Sequence, residues 1–105
     1  MPTLKTWAGR SEFKYEGSVD MGTTITFGNG NRAKITADQY NALLNHFRGR
    51  TVDIGTSRTA PPRDSVGKWL QENVTKVATA SYVGPILIHE GYAIKADIGS
   101  KIKFE

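Results

Sequence analysis

The sequence predicts a single domain of the α+β class, with a three-helix unit, a β-hairpin after it and a second β-hairpin before it. Three observations predict this fold. Apolar residues recur at helical spacing after residues 36 and 64. Apolar and charged residues alternate in 92–96 and 101–104, as in half-buried strands. Asn-Gly turn residues separate two β-rich segments before residue 36. A chain of 105 residues is long enough for a core of its own.

Residues 1–35 are predicted to be a β extension outside the helical module, which covers 36–105. Residues 23–27 are β-branched or aromatic, which favours a strand. The turn Gly28-Asn29-Gly30-Asn31 then predicts that 32–35 pair back as a hairpin. Residues 13–15 indicate one further short strand, and 1–20 show no clear periodicity.

The first helix is predicted to begin after Thr36, because Thr36-Ala37-Asp38-Gln39 forms a capping box. Apolar residues then recur at helical spacing: Tyr40, Leu43, Leu44 and Phe47. Gly49 suits the position after the helix end. Residues 51–54 predict a short strand, and the loop 55–62 that follows is stiffened by two prolines.

The second helix is predicted in residues 64–73. Asp64 or Ser65 can cap it, because a short side-chain oxygen accepts from a free N–H of the first turn. Its apolar face contains Val66, Trp69 and Leu70. Asn73 is predicted to end the helix by adopting a left-handed conformation, which asparagine tolerates better than most residues. The β-branched residues that follow weaken a single unbroken helix.

The third helix is predicted in residues 78–90, with Gly91 just past its end. Gly84-Pro85 conflicts with this prediction, because a proline inside a helix removes one hydrogen bond and costs about 3 kcal/mol. Either the helix kinks there, or Pro85 begins a new helical turn, or 86–89 form a strand that turns at Glu90-Gly91. Of these, the helical interpretations are preferred.

A β-hairpin is predicted at the C-terminus. Residues 92–96 and 101–104 alternate apolar and charged side chains, and Asp97-Ile98-Gly99-Ser100 between them is rich in turn residues. The polar face of this hairpin is predicted to carry Lys95, Lys101 and Lys103.

The elements from 36 to 104 therefore follow the order helix, strand, helix, helix, strand, strand. This order resembles the winged helix-turn-helix, a broad DNA-binding architecture in which the strand between the first two helices commonly pairs with the wing. The resemblance covers about two-thirds of the chain and depends on element order. It implies that 77–90 are a recognition helix and that the C-terminal hairpin is the wing.

The resemblance implies a small intracellular, regulatory DNA-binding protein. Cations of the loop and the wing are expected to hold the phosphates of double-stranded DNA. The residues predicted to contact nucleic acid are Arg58, Arg63, Lys68, Lys76, Thr79, Ser81, Tyr82, Lys95, Lys101 and Lys103. A solvated loop and edge lysines that prevent aggregation explain the same cations without a ligand.

The alternative is a protein-interaction module or dimerising adaptor on the same architecture. Residues 77–88 contain no charged residue and no Asn or Gln, which are the usual base-reading side chains. An exposed patch of Val77, Tyr82, Val83 and Ile86 would then bind a partner or a second copy of the chain. The same helix could instead be buried by the N-terminal β part or by a second copy.

Other classes of function lack their sequence signals. His46 and His89 do not have a metal-binding spacing, and without cysteine there is no thiolate site. We therefore expect no catalytic activity, metal or cofactor. No apolar run approaches the ~20 residues of a membrane span, and no N-terminal leader is recognisable, so a cytoplasmic location is expected. The net charge of +4 permits nucleic-acid binding without requiring it.

Overall fold

The described part of the chain, residues 3–57, 59–96 and 100–105 of a computed structural model, forms two antiparallel sheets and three helices. Its elements in order are β1 (Thr3–Lys5), β2 (Glu12–Ser18), β3 (Gly22–Phe27), β4 (Asn31–Ile35), α1 (Ala37–Phe47), β5 (Thr51–Asp53), α2 (Val66–Asn73), α3 (Ala80–His89), β6 (Ala93–Lys95) and β7 (Lys101–Phe104). The first four strands form one sheet in sequential order, and the other sheet has the order β5-β7-β6. The predicted α+β class is confirmed.

The N-terminal β part is larger than the sequence predicts. The predicted hairpin is present as β3 and β4, but β2 pairs with β3 and β1 pairs with β2. The prediction of a hairpin extension is therefore wrong in extent, since the sheet has four strands. The strand β1 has only three residues, too few for a periodicity to appear. The inner face of the sheet buries Phe13, Tyr15 and Ile25 against the helices.

The predicted boundaries of α1 are confirmed. The Thr36 hydroxyl accepts from the Gln39 N–H at 3.1 Å, and the Gln39 side-chain oxygen accepts from the Thr36 N–H at 2.9 Å. Together these bonds form the capping box. At the other end Gly49 has a φ of 72°, the left-handed conformation that glycine adopts without a steric cost.

The helix α2 begins and ends where predicted, but the reason for its end differs. The Ser65 hydroxyl caps it by accepting from the Lys68 N–H at 3.1 Å. Asn73 does not adopt the predicted left-handed conformation, so that prediction is wrong. Among the described residues other than glycine, Asp64, directly before the cap, has the positive φ, at 62°. The chain leaves the helix at Val74, whose N–H still donates to Leu70 O.

The helix α3 continues through Pro85, so the strand interpretation of 86–89 is wrong. A proline has no N–H to donate to the carbonyl one turn earlier, which here belongs to Ser81. The backbone N–H of Trp7 donates to the Ser81 carbonyl at 2.9 Å. A Cβ on Gly84 would lie 2.8 Å from the Trp7 ring and from the Ile54 side chain. The two residues that argued against a helix thus let the N-terminal segment pack on it.

The three-stranded sheet connects β5, which follows α1, with the C-terminal strands β6 and β7. Thr51 pairs with Lys103 across β5 and β7, and β6 pairs with the other edge of β7. The Ile54 N–H donates to Ser100 O, and the Gly67 N–H donates to Ile54 O, both at 2.8 Å. The sheet is therefore bonded to the first turn of α2. Most of the predicted turn of the hairpin, residues 97–99, lies outside the described residues.

Candidate nucleic-acid interface

The predicted recognition helix, α3, is mostly buried. Its buried residues are Ala80, Val83, Gly84, Ile86 and Leu87. The N-terminal β part covers it, which was one of the arrangements left open by the sequence. The predicted exposed patch is wrong for Val83 and Ile86, because both have no exposed surface, whereas Val77 is 53% exposed.

Trp7 holds the N-terminal segment on α3. Besides the bond from its N–H to Ser81, its carbonyl accepts from Lys95 Nζ at 3.2 Å. The same ammonium group lies 4.7 Å from the centre of the indole ring, in a cation–π contact. A tryptophan with no recognisable pattern around it therefore connects the segment after β1 to α3 and to β6.

The C-terminal end of α3 is bonded to the same sheet. The Glu90 carboxylate accepts from the Tyr15 hydroxyl at 2.7 Å and from the Val19 N–H at 2.9 Å. Burial, and next the hydrogen bond to Glu90, raise the pKa of Tyr15 well above its ordinary value. Burial also raises the pKa of Tyr40 in α1, although its bond with the Thr23 hydroxyl opposes the shift. The bonds of Glu90 with Tyr15 and Val19 thus fix the end of α3 to the four-stranded sheet.

The predicted contact residues at the start of α3 do not share one environment. Thr79 is 1% exposed, so the prediction that it faces a ligand is wrong. Its hydroxyl is buried without a hydrogen-bond partner among the described residues. Ser81 is half-buried next to the Trp7 segment. Tyr82 is half-buried as well, but part of its side chain lines a surface groove.

The wing separates Lys95 from the other two lysines. Lys101 and Lys103 alternate with buried residues on β7, so both extend from the outer face of the sheet. Lys95 lies opposite Ile102, and Ile94 lies opposite Lys103. Residues opposite each other on paired strands point to the same side, so Lys95 points to the side of Ile102. The prediction that the three lysines share one face is therefore wrong.

The loop cations Arg63 and Lys68 line a cleft of about 800 Å³ between the end of α1 and α2. Its other lining residues are His46, Phe47, Pro61, Asp64, Ser65, Trp69, Glu72 and Asn73. Two carboxylates therefore oppose the two cations inside the cleft. Lys68 lies 4.0 Å from one of them, Glu72, and an ion pair this exposed adds little stability. The predicted contact Arg58 lies outside the described residues.

A second groove, of about 450 Å³, brings Lys76 and Tyr82 together. It lies between the β3–β4 turn and the connection from α2 to α3, and we call it the aromatic groove. Its other lining residues are Phe27, Asn31, Arg32, Val77 and Ala78, so no carboxylate of the described chain lines it. The sequence analysis missed Phe27 and Arg32, because nothing in the sequence shows that the hairpin lies beside Lys76.

Searches of protein-family models, curated proteins and solved structures found no match to this chain. None of the helices in the described ranges has both the length and the apolar character needed to cross a membrane. The same ranges contain no group of three or more His, Cys, Asp or Glu side chains arranged to hold a metal ion.

Proposed function

We propose that this protein binds nucleic acid through phosphate contacts, on a winged-helix-like unit whose third helix belongs to the core. The element order α1, β5, α2, α3, β6, β7 supports the likeness to a winged helix. The pairing of β5 with β7 supports it as well, because in that architecture the strand between the first two helices commonly joins the wing. In this proposal β6 and β7 form the wing.

The wing supplies the first pair of phosphate contacts. Lys101 and Lys103 are exposed on the outer face of β7, and the Cα atoms of alternate strand residues lie about 7 Å apart. Neither ammonium group has a hydrogen bond or ion pair with another described residue. Asp53 lies opposite Lys101 on β5, whereas Lys103 lies opposite Thr51, so Lys103 is the more available of the two to a polyanion.

The observation that carries the proposal is the bonded connection between wing and loop. Ser100, next to Lys101, accepts from Ile54, and Ile54 in turn accepts from Gly67 in the first turn of α2. Arg63 and Lys68 lie on either side of Gly67 in sequence. The backbone next to Lys101 is thus bonded, through Ile54, to the first turn of α2, which carries Lys68.

The burial of α3 limits what this interface can read. Five residues of α3 are buried, and Trp7 packs against it at Ser81 and Gly84. We therefore infer that α3 does not enter a major groove. Phosphate contacts hold a duplex in register but carry no sequence information directly. We therefore infer weak sequence preference and a strong dependence of affinity on salt concentration.

The test is the affinity for a DNA duplex across a series of salt concentrations. The double variant Lys101→Gln and Lys103→Gln is compared with Lys5→Gln and Arg10→Gln, which removes the same charge from exposed positions near β1. We expect the wing variant to lower the slope of log affinity against log salt by about 1.8, and the control to change it less. Absence of binding at low salt, or equal slopes in the two variants, would overturn the proposal.

The protein-interaction alternative is supported less well. Of its four predicted patch residues, Val77 alone is well exposed, since Val83 and Ile86 are buried and Tyr82 is half-buried. Size-exclusion chromatography of Val77→Arg beside the wild type tests what remains of it. A concentration-dependent dimer that this change dissociates would favour the alternative.

A further inference from the structure

We propose that the aromatic groove is a separate binding site for an unpaired nucleotide of a single-stranded nucleic acid. The inference rests on the proposed function, since it requires that the protein bind polynucleotides. It uses different residues, however, and names a different form of the ligand. The groove lies beyond α2, whereas the phosphate surface lies at the first turn of that helix and on β7.

The aromatic side of the groove is a fixed ring pair. Phe27 and Tyr82 stack with their ring centres 4.6 Å apart and their planes 24° apart. The buried Phe13 ring packs edge-to-face with Tyr82, with ring centres 5.1 Å apart and planes 68° apart, which holds Tyr82 in place from the core side. Nucleobases stack on aromatic side chains with little dependence on sequence, because every base has a π-face. The pair therefore offers a rigid surface for a base.

Cations and an amide complete the site. Arg32 and Lys76 are both exposed, come from separate elements and have no hydrogen bond or ion pair with another described residue. They are therefore available to a phosphate. The Asn31 amide can donate and accept, as recognition of a base edge requires.

The absence of lining carboxylates distinguishes this groove from the larger cleft. In the cleft, Asp64 and Glu72 oppose the two cations, and Glu72 lies 4.0 Å from Lys68. In the aromatic groove, the described lining residues carry two positive charges and no negative one. An anionic ligand with an aromatic ring is therefore better matched to the aromatic groove, although the cleft is larger.

The size and the surroundings of the groove favour a single strand. A volume of about 450 Å³ suits one small organic group, and a base paired inside a duplex is not available for stacking on protein rings. Arg32 lies opposite Thr26, and Thr26 lies opposite Lys14, so a row of polar residues leads from the groove across the outer face of the sheet. Glu12 and Glu16 flank Lys14 on the same face of β2, so the next phosphate of the strand is expected at Arg32 and not at Lys14.

Val77 provides the sharpest test, because it lines the groove and is 53% exposed, so that substitution leaves the core intact. Val77→Glu is compared with Met21→Glu, which adds the same charge at a residue that is 81% exposed and outside the groove. The probe is a short labelled oligothymidylate, and its affinity is measured by fluorescence anisotropy. Circular dichroism of each variant verifies the fold.

We expect Val77→Glu to weaken oligothymidylate binding by about tenfold or more, since it places a carboxylate beside the phosphate and disturbs stacking. Met21→Glu should bind within about twofold of the wild type, because salt screens a distant exposed charge. Lys76→Gln and Arg32→Gln should each weaken binding and lower the salt slope by about 0.7. The wing variant Lys101→Gln and Lys103→Gln should retain oligothymidylate affinity within about twofold.

Equal affinities of Val77→Glu and Met21→Glu would overturn the groove site. A wild-type protein that binds a duplex but no oligothymidylate would also overturn it, while leaving the proposed phosphate surface in place. Absence of binding to both probes would overturn the two proposals together. If Val77→Glu changed only the elution volume in size exclusion, the groove would be a contact between copies of the chain and the nucleotide site would be rejected.

Discussion

The helices α2 and α3 follow each other in the chain, yet they have opposite surroundings. Buried residues of α2 occupy one face, with Lys68 and Glu72 exposed. Buried residues of α3 extend along most of its length, and it contains no Asp, Glu, Lys or Arg. The difference shows that place in the element order does not decide which helix stays exposed. What packs on the helix decides it.

Gly84 and Pro85 explain how α3 became part of the core. The glycine leaves room for the Trp7 ring, and the proline leaves the Ser81 carbonyl for the Trp7 N–H. In α2, by contrast, the small residue Gly67 faces the backbone of Gly55, close to the sheet. The small residues of both helices admit a neighbour, but only in α3 is that neighbour the N-terminal extension.

The largest loss of stability is expected when the contacts of Trp7 with α3 are removed. Trp7→Ala should lower the free energy of unfolding by about 3–5 kcal/mol, because it removes a nearly buried indole ring and leaves a cavity. Trp69→Ala in the half-buried position on α2 is the matched control and should cost less. Urea denaturation followed by circular dichroism measures both. Equal losses of unfolding free energy in the two variants would mean that Trp7 contributes no more to stability than Trp69 does.

Alkaline pH should lower the free energy of unfolding next most strongly. The raised pKa values of Tyr15 and Tyr40 mean that the folded state keeps both hydroxyls protonated, while the unfolded chain ionises them near pH 10.0. Their stabilising contribution is therefore complete below pH 10 and is lost as the pH rises further. From pH 10 to 11 we expect a loss of about 2 kcal/mol from the two groups.

The variant Tyr15→Phe separates the two tyrosines. It lacks the hydroxyl that donates to Glu90, so its own loss between pH 10 and 11 should be about half that of the wild type. Urea denaturation at each pH gives these values. An identical pH dependence in both proteins would show that Tyr15 ionises equally in the folded and unfolded chains.

The two buried threonines should respond in opposite directions to loss of the hydroxyl. Thr23→Val should cost about 1–3 kcal/mol, because it leaves the buried Tyr40 hydroxyl without its 2.7 Å partner. Thr79→Val at the start of α3 should cost nothing or stabilise by up to about 1 kcal/mol, because its hydroxyl has no described partner. Thermal and urea unfolding of the pair decide this. A larger loss for Thr79→Val would indicate a bonded hydroxyl there.

The smallest effect on stability is expected at the exposed face of α2. Lys68→Ala should change the free energy of unfolding by no more than about 0.5 kcal/mol, since its pair with Glu72 is exposed to solvent. The affinity of Lys68→Ala for a DNA duplex should nevertheless fall, and the slope of log affinity against log salt should decrease by about 0.9. Glu72→Ala serves as the control, because it removes the same ion pair and should not weaken binding.

Local sequence signals predicted most of the individual elements. The capping box at Thr36, the Ser65 cap and the turn glycines depend on residues within one turn of each other, so the sequence alone contains them. The position of Lys95 was missed because Ala93 and Ile94 are both apolar and do not fix which one faces the core. A shift of one residue then reverses every side chain of the strand.

The remaining errors concern contacts between distant segments. Trp7 and Gly84 are neighbours only because the first sheet folds over α3, and no periodicity near Trp7 indicates this. The conflict at Gly84-Pro85 did mark the place where a neighbour packs, but it could not identify that neighbour. The aromatic groove likewise requires Phe27 and Tyr82 to meet across 55 positions of the chain, which the sequence pattern does not show.

In the proposed function, duplex DNA contacts surfaces outside α3. Amide chemical shifts recorded by NMR while a DNA duplex is added test it most directly. We expect the largest changes around Arg63, Lys68, Lys101 and Lys103, with the buried amides of 83–87 unaffected. Changes concentrated in α3, with the wing and the start of α2 unmoved, would contradict the account.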